Sequence, residues 1–248
     1  MLRPRTLAAI AAARQAGIHV IFVTGRMFRS IRPYAAAASL DDPVVCYQGA
    51  AIVEPASGRF LLHQPIPAEL AREAIAAVEA EGYGLNCYVD DDLYVERLTP
   101  EAESYASFQH IPLNPVGPLL DWLAKPPTKL VAIGPEDEMD ALEARMKAHF
   151  GDRLYISKSL PTFLEFASPA VSKGSGMQFV ADRLGFSREQ AVGFGEGEND
   201  VELLEWASYG VAVANSHPRL LAVADWICPP AAEEGPAQVV EALLARRR

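Results

Sequence analysis

The sequence predicts an α/β fold, a Rossmann-like core with a parallel sheet that is interrupted by an inserted α+β domain. Three observations carry this reading. Short apolar runs alternate with helix-period segments at both ends of the chain. The texture changes near Arg59 and reverts after Pro169. Thr/Gly or Gly-rich turns directly follow apolar runs, where an open parallel sheet places its ligands. The expected core is residues 1–58 and 167–248, and the expected insert is 59–166.

Pro4 suits the first turn of a helix and Gly17 its stop, which predicts a helix over 4–16. The run Ile18-His19-Val20-Ile21-Phe22-Val23 reads as a strand covered on both faces. A helix over 27–38 and short strands at 43–47 and 50–53 follow. In the insert, Gly58, Pro65 and Pro67 precede a helix over 68–81, and Asp90-Asp91-Asp92 separates strand-like runs at 85–89 and 93–96. Beyond a Pro-rich stretch at 111–118 come a strand at 129–133, a helix at 136–150 and strands at 154–157 and 162–166. Met177, Val180, Ala181 and Leu184 line one helix face. Strands at 191–194 and 210–213 and a helix at 236–245 complete the core.

With 248 residues, half of them apolar, the chain can bury a substantial core. A net charge of −10 argues against partners held by their negative charge, whether nucleic acid or an anionic membrane. A small anionic substrate remains open if positive groups are concentrated at one site. The basic cluster Arg246, Arg247, Arg248 is explained by a solvated helix end. Cys46, Cys87 and Cys228 form no CxxC pair, so neither a zinc site nor a disulfide framework is expected, and reduced thiols in the cytoplasm are. No apolar run approaches the ~20 residues of a membrane span, and the N-terminus lacks a signal-peptide layout. A monomer or weak homodimer is expected.

Four stretches carry chemistry. Val23-Thr24-Gly25-Arg26 offers a hydroxyl and a Gly N–H to a phosphate oxygen, although an ordinary turn has the same pattern. Ser172-Lys173-Gly174 opens a helix, and a cation beside N-terminal amides suits an anion. Gly195-Glu196-Gly197-Glu198-Asn199-Asp200 follows an apolar strand. Glu196 and Asp200, four apart, suit Mg²⁺, which takes oxygen ligands and a substrate phosphate. A helix-capping turn with solvated acids would explain the same residues. A dinucleotide fingerprint does not fit, because its third glycine falls on Glu198. Finally, Asn215-Ser216 ends a strand and is explained locally as a helix cap.

In this order the stretches resemble the haloacid dehalogenase superfamily, and within it the Cof-type sugar-phosphatase-like branch with a large α/β cap. Tyr47-Gln48-Gly49-Ala50 resembles the branch's YNGA, Val213-Ala214-Asn215-Ser216 its MGNA and Glu234-Gly235-Pro236-Ala237 its DGVA. The resemblance implies an Mg²⁺-dependent phosphatase of small phosphorylated metabolites whose cap sets the substrate. It implies that Thr24, Gly25, Lys173 and Asn199 contact phosphate, and that Glu196 ligates the metal with support from Asp200. Glu196 departs from the usual Asp and is one methylene longer. A non-catalytic phosphometabolite-binding protein and a phosphomutase are the alternatives. The cap residues Tyr83, Tyr88, Tyr94 and Asp90 to Asp92 could reach a ligand, or serve as core aromatics and turn acids.

The family's first motif, DxDGT, carries the nucleophile and the acid/base Asp on a central strand upstream of the first helix. No Asp precedes Asp41 in this sequence. Leaving out that strand forfeits about five buried side chains at roughly 1.5–3 kcal/mol each, a sum that rivals a domain's stability of ~5–15 kcal/mol. It also opens a gap of about 10 Å between its neighbours. The expectation is therefore a start assigned downstream of the true one, with a genuine truncation as the rival, and no turnover by the chain as it stands.

Overall fold

Pro4 begins α1 (Pro4–Gln15), and Gly17 follows it at φ 74°, the left-handed backbone that ends helices. In the computed structural model, which describes residues 2–246, α2 (Phe28–Ala37), the hairpin β1 (Val44–Cys46) and β2 (Ala51–Val53), and β3 (Phe60–His63) come next. Then follow α3 (Ala68–Ala80), β4 (Leu85–Val89), β5 (Asp92–Val95), α4 (Pro100–Gln109), β6 (Asn114–Pro115), α5 (Leu119–Trp122) and β7 (Lys129–Ile133). The chain continues through α6 (Glu136–Phe150), β8 (Tyr155–Leu160), β9 (Phe163–Ala167) and α7 (Lys173–Leu184). It finishes with β10 (Val192–Gly195), α8 (Val201–Trp206), β11 (Tyr209–Val213), α9 (Pro218–Val223), β12 (Trp226–Cys228) and α10 (Gly235–Arg246). Arg247 and Arg248 of the basic tail lie outside the described residues, as does Met1.

The chain divides into two compact units. The core unit comprises the described residues up to Thr24, Ile31–Leu61 and those from Ser172 onward; the inserted unit comprises Gly25–Ser30 and Leu62–Val171. The inserted unit is a six-stranded sheet in the order β6-β5-β4-β7-β9-β8, antiparallel except between β5 and β6. Period-2 alternation gives it two unlike faces. Cys87, Leu130, Ala132 and Phe166 on one face pack with Ile75 of α3 and Met139 of α6. Asn86, Lys129 and Glu165 carry the polar side chains of the other, and all three are buried. Burial pushes the Cys87 thiol up to about 12, so it packs as an inert apolar group.

The core unit holds two separate sheets, β1-β2-β3 and the parallel β10-β11-β12. The expected strand over 18–23 is not formed as a ladder. It bridges β1 at one point, Val23 with Val45, through Thr24 N to Val45 O and Val45 N to Phe22 O, both 2.9 Å. Its other side faces a cavity of about 620 Å³ lined by Ile18, Ile21, Val23, Ala13, Phe194 and Leu203, among others. β10 borders the same cavity and is an edge strand, with β11 as its one neighbour among the described residues. A strand needs a partner to satisfy its backbone groups, and here one side of the 18–23 run and one side of β10 open onto unfilled apolar space.

Five further elements, β3, α4, β6, α5 and β12, were not expected from the sequence pattern. α4 has a recognisable start, since Thr99 Oγ1 accepts from Ala102 N at 3.2 Å. The others span six residues or fewer, too short to develop a period.

Amide exchange should reflect the split core. Backbone amides of 18–23 and β10 should exchange faster than those of β4 and β7, which have a paired strand on each side. Equal protection across these segments, measured by hydrogen–deuterium exchange, would contradict the open edges.

Candidate active site

The site is best built outward from the start of α7. Ser172 caps this helix reciprocally: its Oγ accepts from Ser175 N at 3.1 Å, and its own N donates to Ser175 Oγ at 2.9 Å. Lys173 is therefore fixed in the first turn, and its side chain is only 7% exposed. Nζ donates to Asp200 Oδ1. The other oxygen of that carboxylate accepts from Glu196 N at 2.8 Å and Gly197 N at 2.9 Å. One buried Asp thus closes the Gly-rich turn after β10 and orients the lysine. α7 and α8 approach closely because Gly174 has no side chain; a Cβ there would meet Glu202 O at 2.5 Å.

Glu196 presents an exposed carboxylate at the mouth of this turn. Its Oε1 accepts from Asn215 Nδ2 at 2.8 Å, and its carbonyl accepts from His217 N at 2.9 Å. Ser216 Oγ donates to Gly195 O at 3.4 Å. The reading of Asn215-Ser216 as a helix cap is corrected: His217 is the N-cap of α9, its ring nitrogen accepting from Arg219 N at 3.3 Å. Asn215 instead holds Glu196, a role that local capping chemistry concealed. Glu198 pairs with Arg219 at 2.5 Å on an exposed face. Asn199 is partly exposed.

Thr24 is linked to the same helix through the segment Tyr47-Gln48-Gly49. Thr24 O accepts from Gln48 N at 3.1 Å. Tyr47, Gln48 and Gly49 have φ of 52°, 60° and 103°, three consecutive left-handed residues in a fully buried turn. Such strain at non-glycine positions costs about 1–3 kcal/mol each and marks sites where surrounding structure enforces it. Gly49 lies against the α7 cap, where a Cβ would stand 2.1 Å from Ser172 O. The structure therefore connects Thr24, the 47–49 turn, α7, Asp200 and Glu196 within one unit. Gly25 falls in the other unit, where its carbonyl accepts from Lys129 Nζ at 2.9 Å.

Among the described residues no group of three or more His, Cys, Asp or Glu side chains is placed to hold a metal ion. An all-protein metal cage is thus not built here. Mg²⁺ binds through one or two carboxylates plus water and substrate phosphate, and Glu196 beside Asp200 fits that more open requirement.

The family model for haloacid dehalogenase-like hydrolases matches residues 1–240. The chain belongs to that family. Among the relatives of this haloacid dehalogenase-like hydrolase, the pyridoxal phosphate phosphatase YbhA of Escherichia coli is 29% identical over 229 residues, 87% of this chain and 82% of that protein. The HMP-PP phosphatase of Serratia proteamaculans is 25% identical, over 88% of this chain and 79% of that one. The crystal structure of TM0651 from Thermotoga maritima superposes with a TM-score of 0.83 at 27% identity, covering 97% of this chain and 90% of that one. A haloacid dehalogenase-like hydrolase from Bacteroides thetaiotaomicron shares the fold at a TM-score of 0.87 and 20% identity, covering 98% and 93%.

Gly49→Ala should be strongly destabilising. The clash is with a backbone carbonyl rather than a flexible side chain, and the backbone is left-handed. A loss of at least about 2 kcal/mol is expected in urea unfolding. A loss under about 0.5 kcal/mol, the size of an ordinary surface change, would show that the 47–49 turn is not locked onto α7.

Proposed function

We propose that this chain is the phosphate- and metal-binding body of an Mg²⁺-dependent phosphomonoesterase acting on small phosphorylated metabolites such as sugar phosphates. The observation that carries this reading is the buried Lys173 cation held by Asp200 beside the Glu196 turn. The relatives' names, two of them phosphatases of small phosphorylated compounds, support the substrate class.

On this reading Lys173 neutralises a phosphoryl oxygen, while the Thr24 hydroxyl, the Gly25 N–H and Asn199 orient the group. Glu196 ligates Mg²⁺, and Asp200 supports it by ordering the turn and the lysine. When bound, the metal supplies further charge neutralisation at the phosphoryl group. On this reading the attacking carboxylate would be supplied by a DxDGT motif, which this sequence does not contain. Its oxygen would bond to phosphorus as the ester oxygen leaves with a proton from the second Asp; water, giving a proton to that Asp, would then attack phosphorus, break the bond to the carboxylate and release phosphate. The inserted unit selects the substrate. The same reading has the protein working in the cytoplasm as a monomer or weak homodimer. No helix among the described residues is long and apolar enough to cross a membrane.

A phosphometabolite-binding protein without turnover would use the same Lys173, Thr24 and Asn199 contacts.

Purified protein of this sequence should not hydrolyse p-nitrophenyl phosphate above background, and joining a DxDGT strand ahead of Met1 should confer Mg²⁺-dependent turnover. In that longer protein, Glu196→Gln should raise the Mg²⁺ concentration for half-maximal activity at least about tenfold, equivalent to roughly 1.4 kcal/mol. Glu196→Asp should change it far less. No activity in the longer protein, with orthophosphate still bound, would favour the binding-protein reading. Coincident Mg²⁺ curves for parent and Gln variant would remove Glu196 from the metal site.

A further inference from the structure

The segment directly after Thr24 is held by the inserted unit. Lys129 on β7 reaches Gly25 O at 2.9 Å and Glu165 Oε1 at 3.1 Å, and both side chains are buried. Asp91 accepts from Phe28 N at 2.9 Å and Arg29 N at 2.8 Å, so its carboxylate takes the orphan amides of the first turn of α2. Arg29 pairs with Asp92 at 2.5 Å, and Ser30 Oγ donates to Gln109 O at 2.6 Å. The Asp90-Asp91 pair is the two-residue turn of the β4–β5 hairpin, with φ of 52° and 60°. Left-handed backbone at both positions is the type I′ pattern, which presents Asp91 rigidly.

These contacts are more than packing requires. A buried lysine is costly unless fully hydrogen-bonded and paired. Glu165 supplies the charge, Tyr88 offers its ring face 5.1 Å from Nζ, and a backbone carbonyl supplies a further acceptor. That carbonyl belongs to Gly25, one peptide bond from Thr24. Burial alone would lower the Lys129 pKa, but attraction to Glu165 and Tyr105 outweighs it and raises it above the ordinary value. The lysine therefore stays charged and keeps donating across the neutral pH range.

We propose that Lys129 and Asp91 are positioning residues for the Thr24–Gly25 phosphate loop, fixing its backbone at Gly25 O and at the amides of Phe28 and Arg29. The proposal rests on reading Thr24–Gly25 as that loop. It gives the acidic hairpin turn a role in ordering the loop rather than in touching the ligand.

The test uses the full chain in two variants: Asp91→Ala, on a partly exposed turn, and Lys129→Met with Glu165→Gln, which removes both buried charges together. Hydrogen–deuterium exchange of residues 25–30 is measured beside that of β4 and β7, and orthophosphate binding is measured by calorimetry. Exchange at 25–30 should rise about fivefold or more, the effect of losing one good cap, with β4 and β7 unchanged and orthophosphate bound more weakly. No rise at 25–30, or an equal rise throughout the inserted unit, overturns the proposal. So does a local rise with unaltered orthophosphate affinity. A parent chain that does not bind orthophosphate would instead refute the phosphate-loop reading, while the exchange data still decide whether Lys129 and Asp91 hold the loop.

Discussion

The buried ion pair of Lys173 and Asp200 is the interaction around which the rest of the site is arranged. It joins the first residue of α7 to the N-cap of α8, 27 positions later in the chain. Desolvating both charges is expensive, and such a pair is stable only where further hydrogen bonds satisfy its remaining atoms. Asp200 meets that condition by accepting two turn amides at 2.8 and 2.9 Å. The capping serines meet it for α7 by fixing the helix start from which the lysine projects. Glu196 then sits where the turn presents it, steadied by Asn215. The 47–49 turn locks onto the same cap, so Thr24 and Lys173 are held in one framework although no regular strand joins them.

The core around this pair is built from two separate sheets. The 18–23 run and β10 both lead into site residues, Thr24 in one case and Glu196 in the other, and the cavity lies between them. A sheet transmits position from strand to strand through its ladder. Here the β1-side and the β10-side of the core are joined by the helices that cover them and by the Gly49 contact with Ser172, not by a continuous ladder. The ion pair and the buried turn thus take on the alignment that a continuous sheet would otherwise provide.

Much of this was legible in sequence because it is local. Short apolar strands such as β4, β7 and β9, the Pro4 and Gly17 limits of α1, and the serine opening of α7 carry their own signals. The 18–23 run was legible as an apolar segment but not as an incomplete ladder, since pairing depends on a neighbour rather than on the run itself. Asp200 was legible as an acid that supports Glu196; that both of its oxygens have protein partners was not, since this depends on a lysine 27 positions away. Lys129 gave no local sign of its bond to Gly25, 104 positions distant. Asn215 fitted a cap because Asn after a strand so often is one, and only the geometry showed that it holds Glu196.

The claim that the Lys173–Asp200 pair organises the site is tested most directly by a double-mutant cycle in urea unfolding, with Lys173→Met, Asp200→Asn and the combined variant. Each single change strands a buried partner and should cost about 3 kcal/mol or more. The double variant should cost little more than either single one, giving a coupling energy of at least about 2 kcal/mol. Additivity within about 0.5 kcal/mol would show that the two residues act independently, contradicting the account.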